Sequence, residues 1–127
     1  MEPVSQFKSK SGFKRILSAM MYSVAGLQAA WRHEHAFRQE MILLLAGSAV
    51  ALSLRISAFE KLMLIGVLVL IVIVELINSA IEAVVDRVSL ERHPLSKNAK
   101  DFGSAAVFLA CLLAAAAWAV VLFNRFY

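Results

Sequence analysis

Glu75, Asn78, Ser79, Glu82 and Asp86 fall within an otherwise strongly apolar stretch of the chain. Measured from Glu75 they lie three, four, seven and eleven residues on, which places them along one face of a single helix. Carboxylates beside hydrocarbon are costly unless a cation, a proton or a polar cavity accompanies them. A row of this kind therefore marks a functional site more readily than a set of structural ion pairs, because its nearby cations are fewer than its acids. Periodicity puts Glu75 and Glu82 on a common face. It leaves open which would accept a proton and which would hold a metal.

A second acidic group lies in the segment from Trp31 to Glu40, where Glu34 stands between His33 and His35. A zinc reading fails on spacing: the zincin pattern needs histidine where Phe37 stands, and helical residues two apart point away from each other. The hard carboxylate oxygens of Glu34 and Glu82 suit Mg2+ better, since that ion binds through one or two carboxylates and substrate phosphates. A third polar stretch, Ser89 to Asp101, carries Arg92, His93, Lys97 and Lys100. It can cradle a nucleotide, although by spacing alone a solvated basic loop is the plainer reading. There is no glycine-rich phosphate loop and no protein-kinase catalytic-loop signature.

The elements that must position these residues belong to a membrane. Of 127 residues 61% are hydrophobic and the mean hydropathy is +0.73, against roughly half apolar in soluble domains. Apolar residues from Phe13 to Trp31 recur at helical spacing opposite Lys14, Arg15, Ser18 and Ser23. The pattern predicts an amphipathic helix over about residues 11–33, lying in the interface plane. Three spans are expected at about 36–54, 61–86 and 102–123, the last without a charge along its length. All 127 residues then form one integral-membrane domain of all-α class. The lone cysteine, Cys111, excludes an internal disulfide. The first ten residues lack the apolar core and cleavage site of a signal peptide.

The net charge of +4 and a pI near 9.6 do not point to nucleic acid, since the cations bracket apolar segments and form no stripe with aromatics. Six Lys and Arg, Lys8, Lys10 and Arg38 included, precede the first apolar run at Met41, and four lie between the second and third spans. The other side has Arg55, Lys61 and Arg125. The positive-inside rule then puts the N-terminus and the 87–101 segment in the cytoplasm.

Several blocks together carry a resemblance: Gly12-Phe13-x-Arg15, Tyr22-Ser23, Gly26-Leu27-x-Ala29-Ala30-Trp31, Glu34-x-Ala36-Phe37-Arg38-Gln39-Glu40, and the run from Val74 to Arg87. It continues through Ala99-Lys100-Asp101-x-Gly103-Ser104-Ala105-Ala106-Val107. The chain resembles the bacterial integral-membrane diacylglycerol kinases over almost all of its length beyond the first ten residues. The resemblance implies a homotrimer in the bacterial inner membrane, with composite active sites between protomers near the cytoplasmic face. It implies phosphorylation of the primary hydroxyl of diacylglycerol by Mg-ATP, giving phosphatidic acid. Glu75 matches the catalytic base, and Glu34 and Glu82 match the Mg2+ ligands. Arg15, Tyr22, Glu34, Glu82, Glu91, Arg92, His93, Lys100 and Asp101 match ATP-contacting positions. Arg15, Glu75 and Ser104 match positions that hold the lipid, and Asn78 and Asp86 match further polar positions of the same site.

His33 and His35 are more basic neighbours of Glu34 than the family pattern has, and Pro94 interrupts the loop, restricting His93 to an extended conformation. Undecaprenol kinase is the neighbouring alternative, but Asn78-Ser79 and Val84-Val85-Asp86-Arg87 side with diacylglycerol. A small proton-coupled transporter subunit is the alternative from another class. It would have no need of the Lys100-Asp101 pair or of the cation cluster.

Overall fold

The computed structural model describes residues 12–127, which form four α-helices. The expected helix start near residue 11, and the Lys8 and Lys10 counted for orientation, lie outside the described residues. The chain divides into two compact units between Glu34 and His35.

The first unit is built on α1, Gly12–His33. Arg32 and His33 occupy its last turn, where positive charge complements the partial negative charge of the helix end. Phe13, Ile16, Met20, Met21, Val24 and Trp31 are exposed, an apolar stripe of the sort that rests in a bilayer interface. Glu34 follows, its N–H donating to Ala30 O at 2.8 Å.

The second unit holds α2 (His35–Ser53), α3 (Ala58–Val88) and α4 (Pro94–Phe126), each long and apolar enough to cross a membrane. The turn between α2 and α3 is closed by a capping box. Ser57 Oγ accepts from Glu60 N (3.1 Å) and Glu60 Oε2 accepts from Ser57 N (2.8 Å), satisfying donors that a helix start leaves open. Lys61 Nζ then donates to Leu52 O at 3.0 Å.

α3 is central: it packs on α2 along one side and on α4 along the other. Leu68 and Ile71 of α3 meet Ala110 and Ala114 of α4, with Leu44, Val74 and Trp118 around them. Ala51, Leu64 and Val121 make a second cluster. Alanines on α4, and Gly47 on α2, where a Cβ would collide with Leu68 Cδ1, allow close helix approach. This is the usual basis of helix association in lipid, where apolar burial supplies little drive. Trp118 Nε1 donates to Leu64 O at 3.2 Å, so an indole N–H deep in the unit is satisfied.

Length decides where the polar residues go. With 31 residues, α3 extends about 46 Å at ~1.5 Å per residue, against a hydrocarbon layer of about 30 Å. Its fully apolar portion runs from Leu62 to Val74. The excess length therefore falls at the end bearing Glu82 and Asp86.

Leu64 is fully buried, whereas Leu45 is 67% exposed. Leu64→Ala is expected to lower the unfolding free energy in detergent by about 2–5 kcal/mol through lost contacts and a residual cavity. Leu45→Ala is expected to shift it much less, and reversible unfolding followed by circular dichroism compares the two.

Candidate active site

The last four turns of α3 carry the acidic face. Glu75 is 6% and Asn78 7% exposed, and these are the buried polar side chains among the described residues. Both lie where α3 is covered by its neighbours, while Glu82, a turn further along, is half-exposed and Asp86 is exposed. Asn78 Nδ2 donates to Glu82 Oε1 at 3.4 Å. A carboxylate accepts only, so Asn78 restrains one oxygen of Glu82 and leaves the other for another ligand.

Glu75 has a second acidic neighbour. Glu40 of α2 interacts electrostatically with it, and Glu40 Oε2 is buried with no hydrogen-bond partner. In the sequence Glu40 is visible only as the end of the acidic segment from Trp31 to Glu40. Its position against Glu75 depends on how α2 and α3 are set side by side, which spacing within either helix does not encode.

The segment after α3 is shorter than the sequence suggests. α3 ends at Val88 and α4 begins at Pro94, so Lys97, Lys100 and Asp101 stand on a helix. His93 is the N-cap, extended at φ −139° and ψ 138°, and its Nδ1 accepts from Leu95 N at 3.1 Å. Proline at the first helical position forfeits no hydrogen bond, because that N–H has no partner within the helix. The helical start also brings Lys100 Nζ to 2.7 Å from Asp86 Oδ1, while Lys97 pairs with Asp101 one turn along.

Asp86, Ser89, Glu91, Arg92, His93, Lys97 and Lys100 line one cleft of about 650 Å³ between the end of α3 and the start of α4. Such a volume suits a small-molecule ligand, and Arg92, Lys97 and Lys100 outnumber Asp86 and Glu91 on its wall, which favours an anionic one. Asp101 stands beside it through Lys97. Ser104 is exposed further along α4. Arg15 and Tyr22, both exposed, and the partly buried Glu34 belong to the first unit.

No group of three or more His, Cys, Asp or Glu among the described residues is placed to hold a metal ion. Glu82 nevertheless fits Mg2+: a restrained, partly exposed carboxylate beside a cation-lined cleft is the hard oxygen donor this ion takes when phosphates complete its shell.

Residues 21–122 match the family model for prokaryotic diacylglycerol kinase. A diacylglycerol kinase of Pseudomonas aeruginosa is 56% identical over 118 residues, covering 93% of this chain and 96% of the relative. That of Escherichia coli K12 is 47% identical over 116 residues (91% and 95%). One from Helicobacter pylori J99 is 40% identical over 127 residues (98% and 99%).

The Asp86–Lys100 pair is about half exposed on both sides, so solvent screening leaves it little weight in folding. Lys100→Met is accordingly expected to leave the unfolding midpoint in detergent nearly unchanged. With ATP as the anionic probe of the cleft, equilibrium dialysis should read binding about tenfold weaker through loss of a charge-assisted contact.

Proposed function

Because this chain belongs to the prokaryotic diacylglycerol kinase family and is thus a membrane enzyme that phosphorylates diacylglycerol, we propose that it uses Mg-ATP as donor and the lipid's primary hydroxyl as acceptor. The observation that carries this reading is the arrangement along α3. A buried Glu75, a restrained Glu82 and a cation-lined cleft follow one another along the helix axis. Seven residues separate Glu75 from Glu82, about 10 Å at the helical rise, and four more lead to Asp86 at the cleft. An ATP whose nucleoside lies against the 89–94 segment can run its phosphates along α3, bringing the γ-phosphoryl group toward Glu75.

Phosphoryl transfer asks for positioning and charge neutralisation more than covalent participation by the protein. Glu75 takes the hydroxyl proton as the lipid oxygen bonds to the γ-phosphorus and the bond to the β–γ bridging oxygen breaks. Phosphatidic acid and ADP are the products. The burial of Glu75 excludes water that would otherwise compete as acceptor. Lys100, held by Asp86, and Arg92 offset phosphate charge, and His93 and Glu91 border the nucleoside. Glu82 and Glu34 are assigned to Mg2+ on the family resemblance, and that ion when bound would supply further charge neutralisation on the phosphates. Arg15, Tyr22 and Asp101 are assigned to ATP, and Arg15 and Ser104 to the lipid, on the family resemblance.

The same resemblance supports a homotrimer with sites completed between protomers. The bacterial relatives support the inner membrane, and the Lys and Arg distribution supports the N-terminus and the cleft facing the cytoplasm. The relatives named above are diacylglycerol kinases, which favours neither undecaprenol as substrate nor a transporter role.

Glu75→Gln keeps the shape of the side chain and removes its basicity. It is expected to lower kcat by about 10²–10⁴-fold, the span of general-base contributions, with ATP affinity changed less than threefold. Steady-state ADP release in mixed micelles, paired with nucleotide binding, gives both quantities. Retention of kcat would remove Glu75 from the base role.

A further inference from the structure

The two ends of the Asn78 side chain meet different neighbours. Nδ2 donates to Glu82, whereas Oδ1 is buried without a conventional hydrogen-bond partner. Gly103 of α4 explains the second environment. A Cβ at this buried glycine would fall onto Asn78 Oδ1 and lie 3.2 Å from Asn78 Cγ and 3.7 Å from Asn78 Cβ. The amide oxygen thus occupies space that any other residue at position 103 would fill, lying over the glycine's Cα–H in the manner of a weak C–H···O contact. By contrast, Gly12, Gly26 and Gly66 have nothing near the corresponding position, and Gly47 meets only apolar side chains.

The amide has one workable orientation. Its NH₂ must face Glu82, because a carboxylate has no hydrogen to offer. The oxygen then points at α4, and only glycine leaves room for it there. A methyl group at 103 would turn the amide about χ2, a soft torsion, taking Nδ2 off Glu82 or setting Oδ1 against the carboxylate. Glu82 would recover the rotamer freedom of a long side chain. Glycine is a poor choice inside a helix on propensity alone, so its place here is matched to the amide.

We infer that Gly103 is a positioning residue for the transfer reaction: by admitting the Asn78 amide against the α4 backbone, it holds the Glu82 carboxylate in the orientation from which it meets the metal–phosphate group. The inference rests on the reading of Glu82 as a metal ligand.

The test uses the full-length protein in detergent micelles, with Mn2+ as the metal probe, followed by electron paramagnetic resonance in the presence of a non-hydrolysable ATP analogue. Unfolding midpoints and the KM for diacylglycerol are measured alongside. Gly103→Ala is expected to weaken Mn2+ binding about tenfold, the size of one charge-assisted hydrogen bond, while the KM for diacylglycerol stays within about twofold. Asn78→Ala should weaken Mn2+ binding comparably, and adding Gly103→Ala to it should produce no further loss, because the two act through one contact. Equal additional loss in the Asn78→Ala background, or unaltered Mn2+ binding in Gly103→Ala, would overturn the inference. Should Gly103→Ala alone fail to assemble, the double variant lacks the amide that the methyl group strikes. It must then assemble and bind Mn2+ as Asn78→Ala does, or the inference fails. Glu82→Gln is measured in parallel: normal Mn2+ binding there would sink the metal-ligand reading itself, a result that does not involve position 103.

Discussion

Polar side chains on a helix that is otherwise embedded in hydrocarbon must be solvated by the protein, and α3 is organised around that requirement. Along its apolar part, as far as Glu75 and Asn78, water is not available to satisfy stray donors and acceptors. The polar groups of α3 are accordingly distributed against specific neighbours. Asn78 donates to Glu82 on its own helix, Asp86 reaches Lys100 on α4, and Glu75 is enclosed by the packing of the unit near Glu40. The remainder of the unit exists to hold α3 in place. Small residues on α2 and α4 bring the backbones close, and Trp118 ties α4 to the Leu64 carbonyl.

In the proposed reaction, the division of α3 into an apolar part and an acidic part also sets where chemistry takes place. Glu75 lies beside the apolar segment, where an acyl chain would be at home, and Asp86 lies at the cation-lined cleft, where a water-soluble anion can enter. A reaction between a lipid and a nucleotide needs this gradient of polarity along one element. Few residues then have to act directly, since most of the work is alignment of two reactants that approach from different phases.

Much of this was legible in the residues themselves. The helical spacing of Glu75, Asn78, Glu82 and Asp86 is a property of one helix and needs no tertiary information, and the same holds for the apolar runs. Local signals were present for the boundaries too. Ser57 and Glu60 form the capping box that starts α3 ahead of its apolar run, and His93-Pro94 starts α4 ahead of Lys97 and Lys100. Hydropathy passes over both, because charged residues, Glu60 and Lys61 in α3 and Lys97 in α4, stand in their first turns. The burial of Glu40 Oε2, the Lys100–Asp86 pair and the fit of Gly103 against Asn78 depend on the register between helices. Register is fixed by the side chains of two elements together, so no pattern within a single segment reveals it.

The central claim is that the face of α3 aligns the γ-phosphoryl group of ATP with the hydroxyl of diacylglycerol. The most direct measurement supplies ATP carrying radioactive phosphorus at the γ position, with Mg2+, to the purified protein in mixed micelles that contain diacylglycerol and undecaprenol together, and then separates the lipids. The label is expected to appear in phosphatidic acid and to stay at background in undecaprenyl phosphate. Label accumulating in undecaprenyl phosphate, or in no lipid at all, would contradict it.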